Sequence, residues 1–204
     1  MGGKDYQNRE LEEPQNDIVA VDDRFVFHQP THLIISSKLI SLTSSDITIT
    51  DSSGAEYFRC NDELVNKTII NDLDEFPIVN IQSQILSLKD KINIYRLDTN
   101  KEIVGSITQK SVINVKKYTL DFINHATDKK DFLDFKCDVM GNNCGVFYGK
   151  EKDGAPMVCR IIRKIEGKSF VSSPQEYYYV DISPGVDIAL IVAATICFSK
   201  LKKE

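Results

Sequence analysis

Clustered cations are the residues of this chain best suited to binding chemistry. Arg160, Arg163, Lys164 and Lys168 fall in one short stretch, and Lys116-Lys117 form a second pair upstream. Several convergent cations hold a phosphate group, with Arg adding bidentate contacts, so anionic phospholipid headgroups are the matching ligand class. Alternation along a strand places Arg160 and Lys164 on one face and Arg163 on the other. The plainer alternative is a solvated strand whose Lys and Arg side chains discourage sheet-to-sheet pairing.

Catalytic chemistry has less to stand on. The chain contains no GxSxG, HExxH or P-loop pattern. Cys144 and Cys159 flank a hairpin and can approach across it, but no base accompanies them. His28 and His32 are four apart with Pro30 between, which excludes a helical ligand pair, and His125 shows no metal-ligand spacing either. The acids Asp62, Glu63, Asp72, Asp74 and Glu75 lack the regular spacing of a calcium loop and read as solvated turns. The expectation is a protein with no catalytic residue, no metal and no cofactor.

Composition narrows the classes further. The chain has 204 residues, 42% of them hydrophobic and 27% charged, the balance of one globular domain. A net charge of −5 argues against a nucleic-acid partner, which needs a clustered basic excess. The five cysteines are odd in number and form no CxxC, so reduced thiols in a cytoplasmic protein are expected. Residues 1–24 hold nearly all of the acidic excess, without a signal-like apolar run, and read as a disordered acidic tail ahead of a domain spanning 25–204. Gly2 invites acylation, but Tyr6 stands where that motif requires Ser or Thr.

From Phe25 the chain reads as short strands. Ile47-Thr48-Ile49-Thr50 alternates apolar and polar, Asp51-Ser52-Ser53-Gly54 supplies a turn, and Ala55–Cys60 resumes, which makes a hairpin. The pattern recurs at 85–107 and, more loosely, at 144–164. About a dozen such strands argue for an all-β sandwich or barrel.

The C-terminal stretch PGVDIALIVAATICFSKLKKE is different. Ser183 is placed to cap a helix near 184–200, with Pro184 at its first position and Gly185 following. From Val186 to Phe198 the helix is apolar on every face, so it must be buried in lipid or in protein. That run covers roughly 20 Å at about 1.5 Å per residue. A membrane core needs about 30 Å. The helix is therefore expected inside a curled sheet, with no transmembrane span. Asp187, at the mouth of this helix, must find hydrogen-bond donors or a cation.

Four stretches carry a resemblance to a known family: LIISSKLISLTSSDITITDSSGAEYF, ILSLKDKINIYR, CGVFYGKEKDGAPMVCRIIRK and PGVDIALIVAATICF. In this order, over roughly residues 30–200, the chain resembles the LURP-one-related family, of the tubby C-terminal-like group that also holds the phospholipid scramblases. The resemblance implies a closed β-barrel of about twelve strands around a central C-terminal helix. Plant members are linked to defence without an established activity, and tubby relatives bind phosphoinositides through basic side chains on the barrel surface. Scramblase activity does not transfer, because this chain lacks the cysteine-rich segment, the calcium loop and the span. Two function classes follow: a peripheral module for anionic headgroups that uses Lys116, Lys117, Arg160, Arg163, Lys164 and Lys168, or a protein-interaction scaffold without lipid affinity.

Overall fold

A computed structural model of the chain describes residues 6–36, 47–64, 67–83, 91–97, 102–111, 117–166 and 175–203. The described residues form fourteen strands and one α-helix. Two strands are short: β1 (Val26–Phe27) pairs antiparallel with β14 (Val186–Asp187). The other twelve close into one barrel in which every neighbouring pair is antiparallel. In chain order they are β2 (Thr31–Ser36), β3 (Ile47–Thr50), β4 (Glu56–Leu64), β5 (Lys67–Asn71), β6 (Pro77–Ser83), β7 (Lys91–Arg96), β8 (Ile103–Ser111), β9 (Lys117–Asn124), β10 (Lys129–Cys137), β11 (Asn143–Tyr148), β12 (Met157–Glu166) and β13 (Gln175–Ile182). Strand β13 pairs back onto β2, and closure removes the open edges on which sheets aggregate.

The local chemistry of the strands explains the closure. Inward positions such as Leu120, Leu133, Phe135, Val146, Ile161 and Val180 are buried, while alternate outward positions are polar or charged. Register shifts interrupt several pairings, including Ile49/Thr50 and Ile70/Asn71, and such bulges bend strands toward a closed wall. The expected hairpin turn forms as Asp51 accepts hydrogen bonds from the N–H groups of Ser53 and Ala55, with Gly54 at φ 88°.

Helix α1 (Ile188–Lys203) fills the barrel. Every residue from Ile188 to Ser199 is buried. Phe198 packs edge-on against Tyr118 at 5.1 Å and stacks with Phe135 at 6.3 Å. Its two interior hydroxyls are internally satisfied, Thr195 donating to Ile191 O at 2.8 Å and Ser199 to Ile196 O at 2.7 Å. No described helix is long and apolar enough to cross a membrane.

The helix starts four residues later than expected. Gly185 adopts φ 76° and Pro184-Gly185 make a tight turn, after which Val186 and Asp187 run extended beside β1. Ser183 caps nothing; its hydroxyl lies 3.4 Å from Pro184 O. Asp187 is the cap instead, its Oδ1 accepting the N–H of Leu190 at 3.1 Å.

A second correction concerns the acidic segment. Residues 6–24 are not a free tail: they lie along the barrel. Ile18, Ala20 and Val21 are buried, and Ile18 pairs in parallel with Val186. Glu12 N donates to Met157 O at 2.9 Å, and Tyr6 packs against Phe147 with ring centroids 5.9 Å apart. The physical reason is the apolar run Ile18-Val19-Ala20-Val21, which bulk acidity conceals.

Strand direction alternates, so the barrel has two distinct ends. At the sealed end, α1 begins and the turns β3–β4 and β5–β6 lie. At the exit end, β5, β7 and β9 begin, β10 and β12 finish, and Lys200 of α1 reaches Thr68 at 2.5 Å.

Candidate functional site

Of the six basic residues singled out from sequence, Lys116 and Lys168 lie outside the described residues. The structure does not bring the other four together. Arg160 donates from Nε and Nη2 to Asp181 Oδ2 at 2.8 and 2.6 Å, and from Nη1 to the carbonyls of Gln7 and Arg9 at 2.6 and 3.2 Å. These four bonds engage all three of its nitrogens and clamp the N-terminal segment to the wall. Burial pushes the Asp181 carboxyl up, but hydrogen bonds from His32 and Arg160 outweigh it and hold the group below its ordinary range. Arg163 is bound to Glu176 and, through Nη1, to Asn142 Oδ1 at 3.2 Å. Its bond to Glu176 raises its already high pKa. Lys164 sits 4.5 Å over the ring of Tyr179.

Lys117 is exposed and belongs to a different cluster. In the β9–β10 register it lies directly opposite Lys136, two positions from the pair Thr119–Asp134. Both lysines line a groove of about 480 Å³ on the outer wall, with Lys150 and Lys152 contributed by the β11–β12 connection. That connection folds back along β10 because Gly149, at φ 109°, donates its N–H to Phe132 O at 3.2 Å. The two acids of the groove are engaged. Asp134 meets Lys136 at 2.6 Å, and Glu151 accepts from Arg9 at 3.3 Å and Tyr6 at 3.4 Å. Burial, then the charge of Glu151, lifts the Tyr6 phenol to about 12, so it stays a neutral donor. Lys117 and Lys150 have no carboxylate within ion-pair distance among the described residues. Lys117 and Lys136 are nineteen positions apart in sequence, and only the register reveals that they face each other.

A second groove, of about 530 Å³, adjoins the first across Phe132 and is lined by Ile103, Val104, Phe122 and Ile123. The free cysteines are Cys60, Cys159 and Cys197. Cys159 and Cys197 are buried, and burial pushes Cys197 to about 12 and Cys159 well above its ordinary value. Cys144 pairs with Cys137 in a disulfide rather than approaching Cys159, which corrects the expectation of five reduced thiols. The histidines are dispersed: His32 on Asp181 at 2.8 Å, His125 3.4 Å from Arg96, and His28 4.0 Å from Asp17. Among the acids, Asp72 caps its own turn through the N–H groups of Asp74 and Phe76, while Glu75 pairs with Arg59 at 3.2 Å.

At the start of the helix, Asp187 is fully buried with no cation beside it among the described residues. Its Oδ2 accepts the N–H groups of Ala20, Val21 and Asp22 at 3.1, 2.7 and 3.3 Å. Burial raises its carboxyl, and the four N–H donors lower it without cancelling the rise.

Comparison with known proteins agrees with this architecture. The LURP-one-related family model matches residues 31–199. The chain belongs to the LURP-one-related family. It is 25% identical to "Protein LURP-one-related 15" of Arabidopsis thaliana over 94% of this chain and 89% of that protein, and 26% identical to "Protein LURP-one-related 10" over 92% and 98%. A crystal structure of an Arabidopsis thaliana protein superposes with a TM-score of 0.59 at 18% identity, covering 90% of this chain and 98% of the other, so the fold is shared. The LURP-one-related model spans the barrel from β2 through α1, so the N-terminal segment that Arg160 and Asp187 pin in place precedes the matched region.

Proposed function

We propose that this LURP-one-related barrel is a non-catalytic, peripheral module for anionic lipid headgroups, phosphoinositides among them, in the signalling or defence setting that the family resemblance implies. The supporting observation is the groove in which Lys117 faces Lys136, with Lys150 and Lys152 on the same wall. Lys136 is already held by Asp134 at 2.6 Å, so Lys117 and Lys150 are the charges the groove offers to an anion. The ligand surface is therefore centred on Lys117 and Lys150, not on Arg160 and Arg163, whose guanidinium groups already hold protein partners.

Vesicle co-sedimentation tests this. Binding to phosphatidylserine or phosphoinositide vesicles should exceed binding to neutral ones and fall with salt. Lys117→Glu combined with Lys150→Glu should weaken it at least about tenfold. Unchanged binding in that variant would discard the groove. A second reading, a protein-interaction scaffold, draws on the exposed Ile103 and Ile123 beside the second groove. Absence of binding to every vesicle type would favour it.

A further inference from the structure

The β10–β11 hairpin ends in Asp138-Val139-Met140-Gly141-Asn142-Asn143, and its two apolar residues are turned out to solvent. Val139 is 85% exposed and Met140 75%, the highest values for large apolar side chains among the described residues. A disulfide and a set of hydrogen bonds hold this tip. Cys137 and Cys144 pair in register and are disulfide-bonded at its base. Above them Asp138 N donates to Asn143 O, and Gly141 N donates to Asp138 O, both at 2.9 Å, with Gly141 at φ 65°. The Asp138 carboxylate accepts the N–H of Asn142 at 2.8 Å and both the N–H and side-chain amide of Asn143, at 3.2 and 2.8 Å. Asn142 O accepts Arg163 N at 2.7 Å, tying the tip to β12.

The surroundings of the tip carry the matching charge. Lys67, Lys91, Lys117, Lys136, Lys164 and Lys200 all fall near the exit end from which the hairpin projects. Among the described side chains there, Asp134 pairs with Lys136 at 2.6 Å, Asp138 serves the turn, Glu166 accepts the Tyr179 hydroxyl, and Glu176 is bound to Arg163 and Tyr178. Lys136 lies two residues before Asp138, so the lysine groove opens at the root of the hairpin.

We infer that the Val139–Met140 tip inserts into the interfacial layer of an anionic bilayer, while the lysines of the exit end contact its headgroups. Rigid presentation of apolar side chains beside cations is the arrangement by which a surface-bound protein gains both apolar burial and electrostatic attraction. This inference rests on the anionic-lipid reading above and adds its orientation: the exit end faces the membrane and the sealed end faces away.

The chain contains no tryptophan, so a single introduced indole is a clean reporter. In the Met140→Trp variant, emission should shift to the blue and be quenched by brominated lipid when phosphatidylserine vesicles are added. In Phe76→Trp, at a position 67% exposed on the β5–β6 turn of the sealed end, it should do neither. Val139→Asp with Met140→Asp, both at solvent-facing positions, should lower vesicle partitioning about tenfold while leaving inositol hexakisphosphate binding intact. Co-sedimentation of Met140→Trp with unshifted emission, or a shift in Phe76→Trp alone, would overturn the inserted tip and leave the groove standing. A blue shift in Met140→Trp without inositol hexakisphosphate binding would discard the groove and keep the tip.

Discussion

The sealed end and the exit end of the barrel are finished by opposite means. At the sealed end, backbone and carboxylates close the structure. The segment around Ile18–Asp22 crosses the opening, Asp187 gathers its N–H groups, and Asp22, Asp51, Asp72 and Glu75 each engage a turn or an arginine nearby. At the exit end, lysines ring the helix terminus, one lysine faces another in register, and two apolar side chains stand in water. The first arrangement turns carboxylates onto the chain's own N–H groups and arginines and serves the fold. The second sets the Lys117 charge and the Val139–Met140 surface toward solvent.

The largest test of this contrast removes the seal. Asp187→Ala leaves four N–H groups, those of Ala20, Val21, Asp22 and Leu190, without their acceptor in a buried site. The loss should be on the order of 4 kcal/mol in urea unfolding, combining a lost helix cap with unsatisfied buried donors. Asp187→Asn keeps one oxygen and should lose clearly less. A change below about 1 kcal/mol for the alanine variant would mean that the segment crosses the opening without being held by it.

A middle-sized effect belongs to the exit end. The Cys137–Cys144 bridge closes a short loop of sequence separation 7. Chain-entropy reasoning gives about 2–3 kcal/mol for such a loop. Reductant should lower the urea midpoint accordingly at constant m-value, and a thiol count should rise by the two cysteines. Identical midpoints with and without reductant would show that the tip does not depend on the bridge.

What is legible in the sequence follows the same division between local and distant causes. The all-apolar helix and the Asp51–Gly54 hairpin are written in contiguous residues; the hairpin is where sequence places it, and the helix differs at its start. The cap moves from Ser183 to Asp187 because its competitor is remote: Asp187 N bonds to Ile18 O, pulling Val186-Asp187 into a strand. Cys137 and Cys144 flank a turn rich in Asp, Gly and Asn, a readable signal, yet Cys159 flanks the neighbouring hairpin just as plausibly and only register decides. Arg160 and Arg163 read as ligand residues because sequence shows their charge and hides Asp181 and Glu176, their partners across β12–β13 and near it.

The smallest expected effect sharpens the comparison between two carboxylates, one held by cations and one by backbone alone. Asp181 is half-buried between Arg160 and His32, and its pKa is lowered. A carboxyl that is more acidic in the folded state adds stability above its unfolded pKa, near about 3.9, and loses it as pH falls through the lower folded value. Asp187 is raised, so the folded state takes up its proton first; its favourable contribution is full below the unfolded value and is lost as pH rises through the folded one. Unfolding of wild type, Asp181→Asn and Asp187→Asn across the acid range should therefore diverge with opposite sign. The wild-type advantage over Asp181→Asn should shrink on acidification, and that over Asp187→Asn should grow. For Asp181, whose pair is partly solvent-screened, the amplitude should stay below about 1 kcal/mol. Parallel pH profiles for the two variants would mean that pairing with Arg160 and His32 does not distinguish the site on the wall from the one at the seal.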